Sequence, residues 1–549
     1  MARLVFTGFR LTRPGTDPLE LPAGFAVTAV NCDLRKKSLA PLPGLGAGSV
    51  LLQPGDLRSF YEITAGHWLA WTSPVEVVEL PVPAGRIAYT GDGFPKQTNP
   101  SLATSGDPAT YPTQIRRFGV KRPTAPATVE INNPVGSGTV LREVSYVYTM
   151  VVVWGDPADL DEEESGPSNP TAVFSVYEGE TVNLTGFAWD AGADNDYTMI
   201  RLYRLEAGNT DAEYEFLAEI PITQAEYTDN CLDDAGPDLI ESMDWDCPPD
   251  DLAGLFLFGN NVLCGFAGKD LFFSPAGVYF AMPRNWAKRA QENIVAAGYF
   301  DKTVVFVTAA RQYRATGTDP QYMDQDSNEY SHGCVSRSSL ASYEGGVFYA
   351  ARDFLVLAHA AGNTEVTVGM YTKEQWQALG PQNMHGFFVD GLYCGFFLGT
   401  AAGIVVDPVN LDVQQISFGS AVFRGGRYHR GTRTLQLLLE EGGEFAVYDW
   451  QAAPAAPLTN QYTSGPQLQP ANASCSCGKV LGDFSGGATV TLSVLVDGEV
   501  KATSAIAAAG QFRLPMGCSG SQWQVALSGT ARIDAVLLAG SPGELRHGQ

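Results

Sequence analysis

Short apolar strand cores recur along this chain at a nearly constant interval, each entered through a polar or glycine turn. Val262 opens VLCGF, Val304 opens VVFV, Val347 opens VFYA, Leu392 opens LYCGFF and Leu435 opens LQLLL, at steps of 42, 43, 45 and 43 residues. The turns are Asn260-Asn261, Asp301-Lys302, Gly345-Gly346, Asp390-Gly391 and Gly431-Thr432. After each core comes a short break and another strand-like run: LFFS from Leu271, QYRA from Gln312, FLVLA from Phe354, IVVD from Ile404 and FAVYDW from Phe445. A copy with the same layout, HWLAW then VEVVEL, starts near His67. A period of about 40–50 residues with several short strands is the pattern of a β-propeller blade. The units share a layout and not a sequence, so the competing reading is an irregular β-rich enzyme domain with evenly spaced strands. Counted with the unit near His67, the repeat predicts an all-β fold built on a six-bladed β-propeller.

Two further modules interrupt and follow the repeat. Residues 1–121 read as N-terminal strands and loops leading into the first blade. The proline-rich stretch KRPTAPATVEI then opens a self-contained unit over 122–251. Within it SYVYTMVVVW alternates aromatic and apolar residues over a whole strand, ESGPSNPTAVFSV turns into another, and MIRLYRLEAG, YEFLAEI and EYTD follow. Several short strands over about a hundred residues predict a β-sandwich. The acidic segment DNCLDDAGPDLIESMDWDCPPDD leads back to the blades over 252–458, so the sandwich is inserted after the first blade. Over 459–549, TVTLSVLVDGEVKATSAIA reads as a hairpin turning at Asp497-Gly498. QFRLP, WQVALSG and RIDAVLLAG extend it into a C-terminal β-sandwich module. Helix is scarce: PRNWAKRAQENIVAAG from Pro283 and TKEQWQAL over 372–379 each predict a short one.

Composition changes the picture mainly through charge. The 59 Gly and 34 Pro among 549 residues suit a turn-rich β protein. No apolar stretch reaches the roughly 18 residues of a membrane span. The N-terminal MARLVFTGFRLTRPG has no continuous apolar signal region, so folding in a cytoplasm is expected. The formal net charge of −25 is local: residues 140–251 hold 27 Asp and Glu against three Arg, and the rest of the chain is close to balanced. Such a module repels nucleic acid phosphates; the competing reading is a solubilising insertion. Asp159, Asp161, Glu162, Glu163, Glu164, Asp233, Asp234 and Asp238 form its candidate acidic patch, facing either a channel or the outer surface.

Candidate chemistry is sparse. The chain has no HExxH, GxSxG, Walker loop or CxxC pair. GLGAGS at Gly44 runs into VLLQPGD, a flexible loop and not a phosphate cradle, and the six histidines are far apart. Asp190, Asp194, Asn195 and Asp196 could chelate calcium but lack the EF-hand spacing. Of the nine cysteines, Cys264, Cys334 and Cys394 sit in apolar runs, Cys475-Ser-Cys477 is a half-site with no second half, and Cys231 and Cys247 flank the acidic loop, where oxidation could pair them. Arg424, Arg427, Arg430 and Arg433 recur every three residues, as a DNA-facing or protein-facing loop or a solvated face. A glycosidase carboxylate pair stays open, since only separation in space matters there. No catalytic, cofactor-binding or metal-binding residue is expected.

The run VYTMVVVWGD…ESGPSNP, followed by IRLYR and YTD, resembles a fibronectin type III domain over roughly 122–230. A wider set of segments, in order, resembles one family. These are NCDLRKKSLAPLPG, LFFSPAGVYFAMPRNW, IVAAGYFDKTVVFVTAARQYRATGTDP, CVSRSSLASYEGGVFYAARDFLVLAH, VTVGMYTKEQWQALGP and QFRLPMG…WQVALSGTARIDAVLLAGSPGEL. Together they resemble the β-propeller tail nozzle, or tail tubular protein, of short-tailed double-stranded DNA bacteriophages. The resemblance implies a homohexameric virion protein, assembled in the host cytoplasm, that forms the last segment of the DNA channel. Its implied partners are a portal–adaptor ring above it, tail fibres or tip and needle proteins, and the phage genomic DNA, which passes without sequence-specific binding. It implies no catalysis, no cofactor and no membrane span. The alternatives are a receptor-binding or glycan-binding tail protein and, behind it, a propeller glycosidase or lyase.

Overall fold

The computed structural model describes residues 3–34, 38–155, 160–192, 195–207, 213–259, 261–327, 332–409, 412–429, 431–451 and 455–545. The chain is all-β, and its centre is a ring of antiparallel blades. Blade 1 consists of Glu76–Glu79, Ile87–Thr90, Lys96–Thr98 and Arg116–Arg117. Blade 2 consists of Ala253–Phe258, Val262–Ala267, Asp270–Phe273 and Lys288–Arg289. Blade 3 runs Ile294–Phe300, Thr303–Thr308, Gln312–Thr316 and Asp324–Ser327, and blade 4 runs Ala341–Tyr343, Gly346–Ala350, Leu355–His359 and Gly362–Glu365. Blade 5 is Met384–Val389, Leu392–Phe397, Ala402–Asp407 and Asp412–Ser417. Blade 6 takes three strands, Val422–His429, Thr434–Glu441 and Glu444–Asp449, from its own stretch and borrows Ser49–Val50 from the N-terminal part of the chain.

All five repeat cores are second strands of their blades, and the runs after them are the third strands. The second strands are buried along their whole length in blades 2 and 4, because both faces pack on neighbouring blades. That is why they read as unbroken apolar runs and not as alternating ones. The ring holds together through one apolar cluster per interface. Leu263 and Phe272 meet Leu80 and Phe118 between blades 1 and 2, Val304 and Phe306 meet Phe258 and Cys264 between blades 2 and 3, and so on round. Each fully buried Leu, Val or Phe in these clusters contributes roughly 1.5–3 kcal/mol.

The unit expected near His67 divides into two sheets. HWLAW belongs to a two-stranded hairpin, Ser59–Thr64 with His67–Trp71, whereas VEVVEL supplies the innermost strand of blade 1. One side of the hairpin packs Leu57, Phe60 and Ala70 on Leu438 and Val447 of blade 6, and the other packs Tyr61, Leu69 and Trp71 on Ile87 and Tyr89 of blade 1. Six four-stranded blades are therefore joined by a two-stranded sector that fills the gap between the last and the first.

The inserted sandwich follows blade 1. Its larger sheet orders Asp161–Glu164, Val140–Trp154, Met199–Glu206 and Tyr214–Pro221, with Phe174–Tyr177 also on the long Val140–Trp154 strand. Its smaller sheet has Thr181–Thr185 between Thr128–Asn132 and Glu226–Asp229. The C-terminal sandwich is fused to blade 5 through N-terminal chain: Ala26–Val30 bridges Asp412–Ser417 to Asn460–Ser464, and Leu4–Thr7 pairs with Arg532–Ala539. The DG hairpin forms as expected between Val490–Val496 and Glu499–Ile506, with Asp497 and Gly498 at φ 51° and 83°.

Of the two expected helices, one forms. Lys373–Ala378 is an α-helix with a Thr372/Gln375 capping box. PRNWAKRAQENIVAAG is not a helix: Arg284–Trp286 is a single 3-10 turn, and Ile294–Phe300 is the innermost strand of blade 3. Its alternating burial fits a strand, with Ile294, Ala296, Gly298 and Phe300 all inward-packed.

Candidate functional site

The expected acidic patch is drawn into two ion-pair networks. The Asp161–Glu164 strand pairs with Val151–Trp154, and period-two alternation sends its carboxylates to opposite faces. Asp161 and Glu163 turn toward blade 1. There the Arg86 guanidinium donates to Glu163 Oε1 at 2.7 Å and to Asp161, and Gln97 Nε2 donates to Glu163 Oε2 at 2.8 Å. Arg86 and Glu163 are each 2% exposed. Burial pushes the Glu163 carboxyl up, against the pull of Arg86. Trp154 closes the site, with the Arg86 and Arg116 guanidinium carbons 4.7 and 4.3 Å from its ring.

Glu162 and Glu164 turn the other way and share Arg201 with Glu219. Glu164 also accepts from Thr149 and Tyr203, both at 2.7 Å. Asp233 accepts from Asn230 through its side chain and from Arg204 through its carbonyl. Asp234 is exposed and paired with Arg142, which holds its carboxyl below the usual range. Asp238 is exposed and takes part through its backbone carbonyl, which accepts from Phe216 N–H. Asp159 lies outside the described residues. The seven described residues do not form one acidic face: Asp161, Glu162, Glu163 and Glu164 are ion-paired inside the module or against blade 1, and the residues of 233–238 sit on a separate loop.

The remaining candidates are placed as follows. Asp190 pairs with Lys121 at 2.7 Å and Asp196 with Arg116 at 2.8 Å, while Asp194 lies outside the described residues. No cluster able to hold a metal occurs among the described residues. Cys231 is a buried thiol beside Tyr146, and Cys247 is a separate thiol whose pKa is pushed up to about 11 by burial. Arg424 and Arg427 lie on the innermost strand of blade 6, paired with Glu440 and Glu79, and Arg430 is outside the described residues.

The place that sequence reasoning missed is the propeller axis. The innermost strands converge on a cavity of ≈ 550 Å³ that every sector of the ring helps to line. Glu76 of blade 1 reaches across it to Arg337, in the segment before blade 4. Arg337 Nε is 2.9 Å from Glu76 Oε1, and Arg337 Nη2 and Gly254 N–H donate to Oε2 at 2.9 and 2.6 Å. Arg427 stacks on Tyr61 at 3.9 Å. Burial, and then the Arg58 charge, push His385 down to about 4, so its imidazole is neutral at ordinary pH. Glycines make this convergence possible. A Cβ on Gly298 would lie 2.4 Å from Ser342 Oγ, one on Gly386 2.3 Å from the Ser339 carbonyl, and one on Gly425 2.4 Å from the Arg58 carbonyl. The signal was present: Gly254, Gly298, Gly386 and Gly426 precede four of the repeat cores by six to nine residues.

Comparison with known proteins adds little to the geometry. No protein-family model matches the chain, and no curated protein matches it. Among solved structures it is similar to the WD40 domain of coronin from Toxoplasma gondii, at 9% identity over 63% of this chain and 78% of that one, with a TM-score of 0.25. It is similar to PorZ, a surface component of the type-IX secretion system of Porphyromonas gingivalis, at 11% identity over 56% and 42% of the two chains, TM-score 0.26. It is also similar to Hsv2 of Kluyveromyces marxianus, at 6% identity over 55% and 89%, TM-score 0.27. At this level the likenesses carry no argument about function, and the β-propeller rests on the sheet order itself.

Proposed function

We propose that this chain is a subunit of the tail nozzle of a short-tailed double-stranded DNA bacteriophage, acting as a homohexameric conduit. The observation that carries the reading is the order of family-like segments, from the N-terminal NCDLRKKSLAPLPG through 252–545. The axial geometry supports its physical side. A cavity of ≈ 550 Å³ crossed by the Glu76–Arg337 ion pair admits no duplex, whose major groove alone is about 12 Å wide. In such a protein the DNA path lies between subunits, and each propeller serves as a rigid wall. The acidic sandwich suits passage over capture, since six copies at a formal −25 carry about −150.

The glycosidase alternative finds less support. Glu76 is the carboxylate among the described residues lining the axial cavity, and both of its oxygens are engaged. Glycoside hydrolysis requires two carboxyl groups roughly 5–9.5 Å apart with a sugar between them.

Electron microscopy of the purified protein and of virions tests the proposal. Six-fold rings with an open axial hole, and duplex binding no tighter than the non-specific range of roughly 10⁻⁴–10⁻⁶ M, are expected. Particles lacking the protein should lose their DNA or fail to deliver it. A purified monomer that degrades host polysaccharide with turnover, or images placing the protein only at fibre tips, would refute it.

A further inference from the structure

A second pocket, of ≈ 410 Å³, opens where the N-terminal segment crosses blade 5. Leu34, Leu392 and Val405 give it apolar walls. Arg10 and Arg13 stand at it, both against the Phe25 ring, with guanidinium carbons 5.4 and 4.4 Å from the ring centre. Stacking fixes a guanidinium plane while leaving its in-plane N–H edges open to a further acceptor. Neither arginine has an ion-pair partner among the described residues, whereas Arg58, Arg86, Arg337, Arg424 and Arg427 all have one. Asp33 and Asp407 also line the pocket, but each has a partner of its own. In the wall, Gln414 is 8% exposed and its Nε2 has no hydrogen-bond partner. A buried amide donor left in that state costs free energy that an acceptor in the pocket recovers.

We propose that this pocket binds a carboxylate carried on an apolar body. The carboxylate sits between the open edges of Arg10 and Arg13, within reach of the Gln414 amide after a side-chain adjustment, and the apolar body lies on Leu34, Leu392 and Val405. The volume falls in the range of small-molecule sites, about 300–1,000 Å³. A planar oxyanion matches the guanidinium fork, whereas a neutral isostere would leave the same donors unmatched. The carboxylate can belong to a free small molecule or to a side chain in a polypeptide. The site is independent of the role assigned to the whole chain.

Calorimetric titration of the full-length protein with 4-phenylbutyrate, with 4-phenylbutanol and with the peptide acetyl-Leu-Glu-Leu-amide tests the proposal. At least one of the two carboxylates should bind saturably, and whichever does identifies the source. The alcohol should bind at least about tenfold more weakly than the free acid, the size of one charge-assisted hydrogen bond. The double variant Arg10→Met with Arg13→Met should lose carboxylate affinity by about tenfold or more, and Gln414→Leu by a smaller factor, with unchanged circular dichroism. Should the double variant fail to fold, a salt titration of the wild type decides: carboxylate affinity must fall with added NaCl and alcohol affinity must not. No saturable carboxylate binding up to about 1 mM, equal affinity for acid and alcohol, or full affinity in the folded double variant would overturn it.

Discussion

Replacing Arg86 by Met cuts the most buried contact between the inserted sandwich and blade 1. The variant keeps much of the side-chain stem that packs beside Trp154 but leaves Glu163, 2% exposed, with Gln97 as its main remaining partner. Removing one member of a buried ion pair costs about 3–5 kcal/mol when the other stays charged. Protonation sets a ceiling on that cost. Burying Glu163 as the neutral acid costs about 1.36 kcal/mol for each pH unit above its ordinary value of 4.5, hence about 3.4 kcal/mol at pH 7 and about 1.4 kcal/mol at pH 5.5. Asp161, whose side chain is 32% exposed, can turn to solvent and adds little. The destabilisation relative to wild type should therefore stay below about 3.4 kcal/mol at pH 7, by the part the wild type already loses to its own raised pKa, and below about 1.4 kcal/mol at pH 5.5.

The sign follows from the direction of the shift. The folded-state pKa of Glu163 already lies above its unfolded value, so its contribution is fullest below the unfolded pKa and is lost as pH rises. Without Arg86 that loss continues to higher pH. The assay is hydrogen exchange across Val151–Glu164 at several pH values, because a protein of several modules need not melt in one step. Arg86→Met with Glu163→Gln should recover most of the loss at pH 7. A pH-independent effect, an effect below about 0.5 kcal/mol, or no recovery in the double variant would refute the reasoning.

Three further outcomes are expected. Gly386→Ala places a Cβ 2.3 Å from the Ser339 carbonyl and should cost about 1–3 kcal/mol in thermal or denaturant unfolding, whereas Gly510→Ala, with nothing within 4 Å, should stay within about 0.5 kcal/mol. The His385 imidazole should show no NMR titration between pH 5.5 and 8; because its folded pKa is depressed to about 4, its stabilising contribution is present above about 6.5 and is lost as pH falls toward 4. Deleting 122–251 should leave a soluble β protein with a lower melting temperature, since Leu102 and Phe280 lose their packing on the sandwich core; an insoluble product without β circular dichroism would count against it.

Legibility tracked how local the determinants were. The second strands of blades 2–6 could be read because burial on both faces makes them continuous apolar runs behind a turn. The positive φ of Asn261, Asp301 and Asp390 at those turns explains the residue types found there. Blade 1 was harder, because HWLAW and VEVVEL are separated by three residues yet lie in different sheets, and only the packing of Tyr61 and Trp71 on Tyr89 separates them. Closure through Ser49–Val50, and the fusion of Ala26–Val30 to both blade 5 and the C-terminal sandwich, depend on partners some 400 residues away. No local pattern marks such pairings. The Pro283 segment misled because its helix-forming side chains outweigh a short strand period that only the neighbouring blades make decisive.

The charge anomaly changes meaning once its partners are known. Residues 140–251 hold 27 acidic and three basic residues, yet each of those three arginines serves two or three groups: Arg201 binds Glu162, Glu164 and Glu219, Arg142 binds Glu206 and Asp234, and Arg204 binds Glu206 and Asp229. A further set of cations comes from the chain just before the module. Arg86 meets Asp161 and Glu163, Arg116 meets Asp196, Arg117 meets Asp250, Lys121 meets Asp190 and Arg122 meets Asp246. Most of these pairs have a partly or fully exposed member and contribute at most about 1 kcal/mol each. Two pairs are buried on both sides: Arg204 with Asp229, inside the module, and Arg86 with Glu163, which joins the module to blade 1 and fixes where it sits. Six of the 27 acids are thus complementary to cations of blade 1 and the segment that follows it, and these pairs orient the sandwich on the propeller. Pairing leaves the net charge of −25 unchanged, so repulsion of DNA keeps its overall strength, and the pairing decides where it acts: at exposed acids such as Asp238, away from the seam with blade 1.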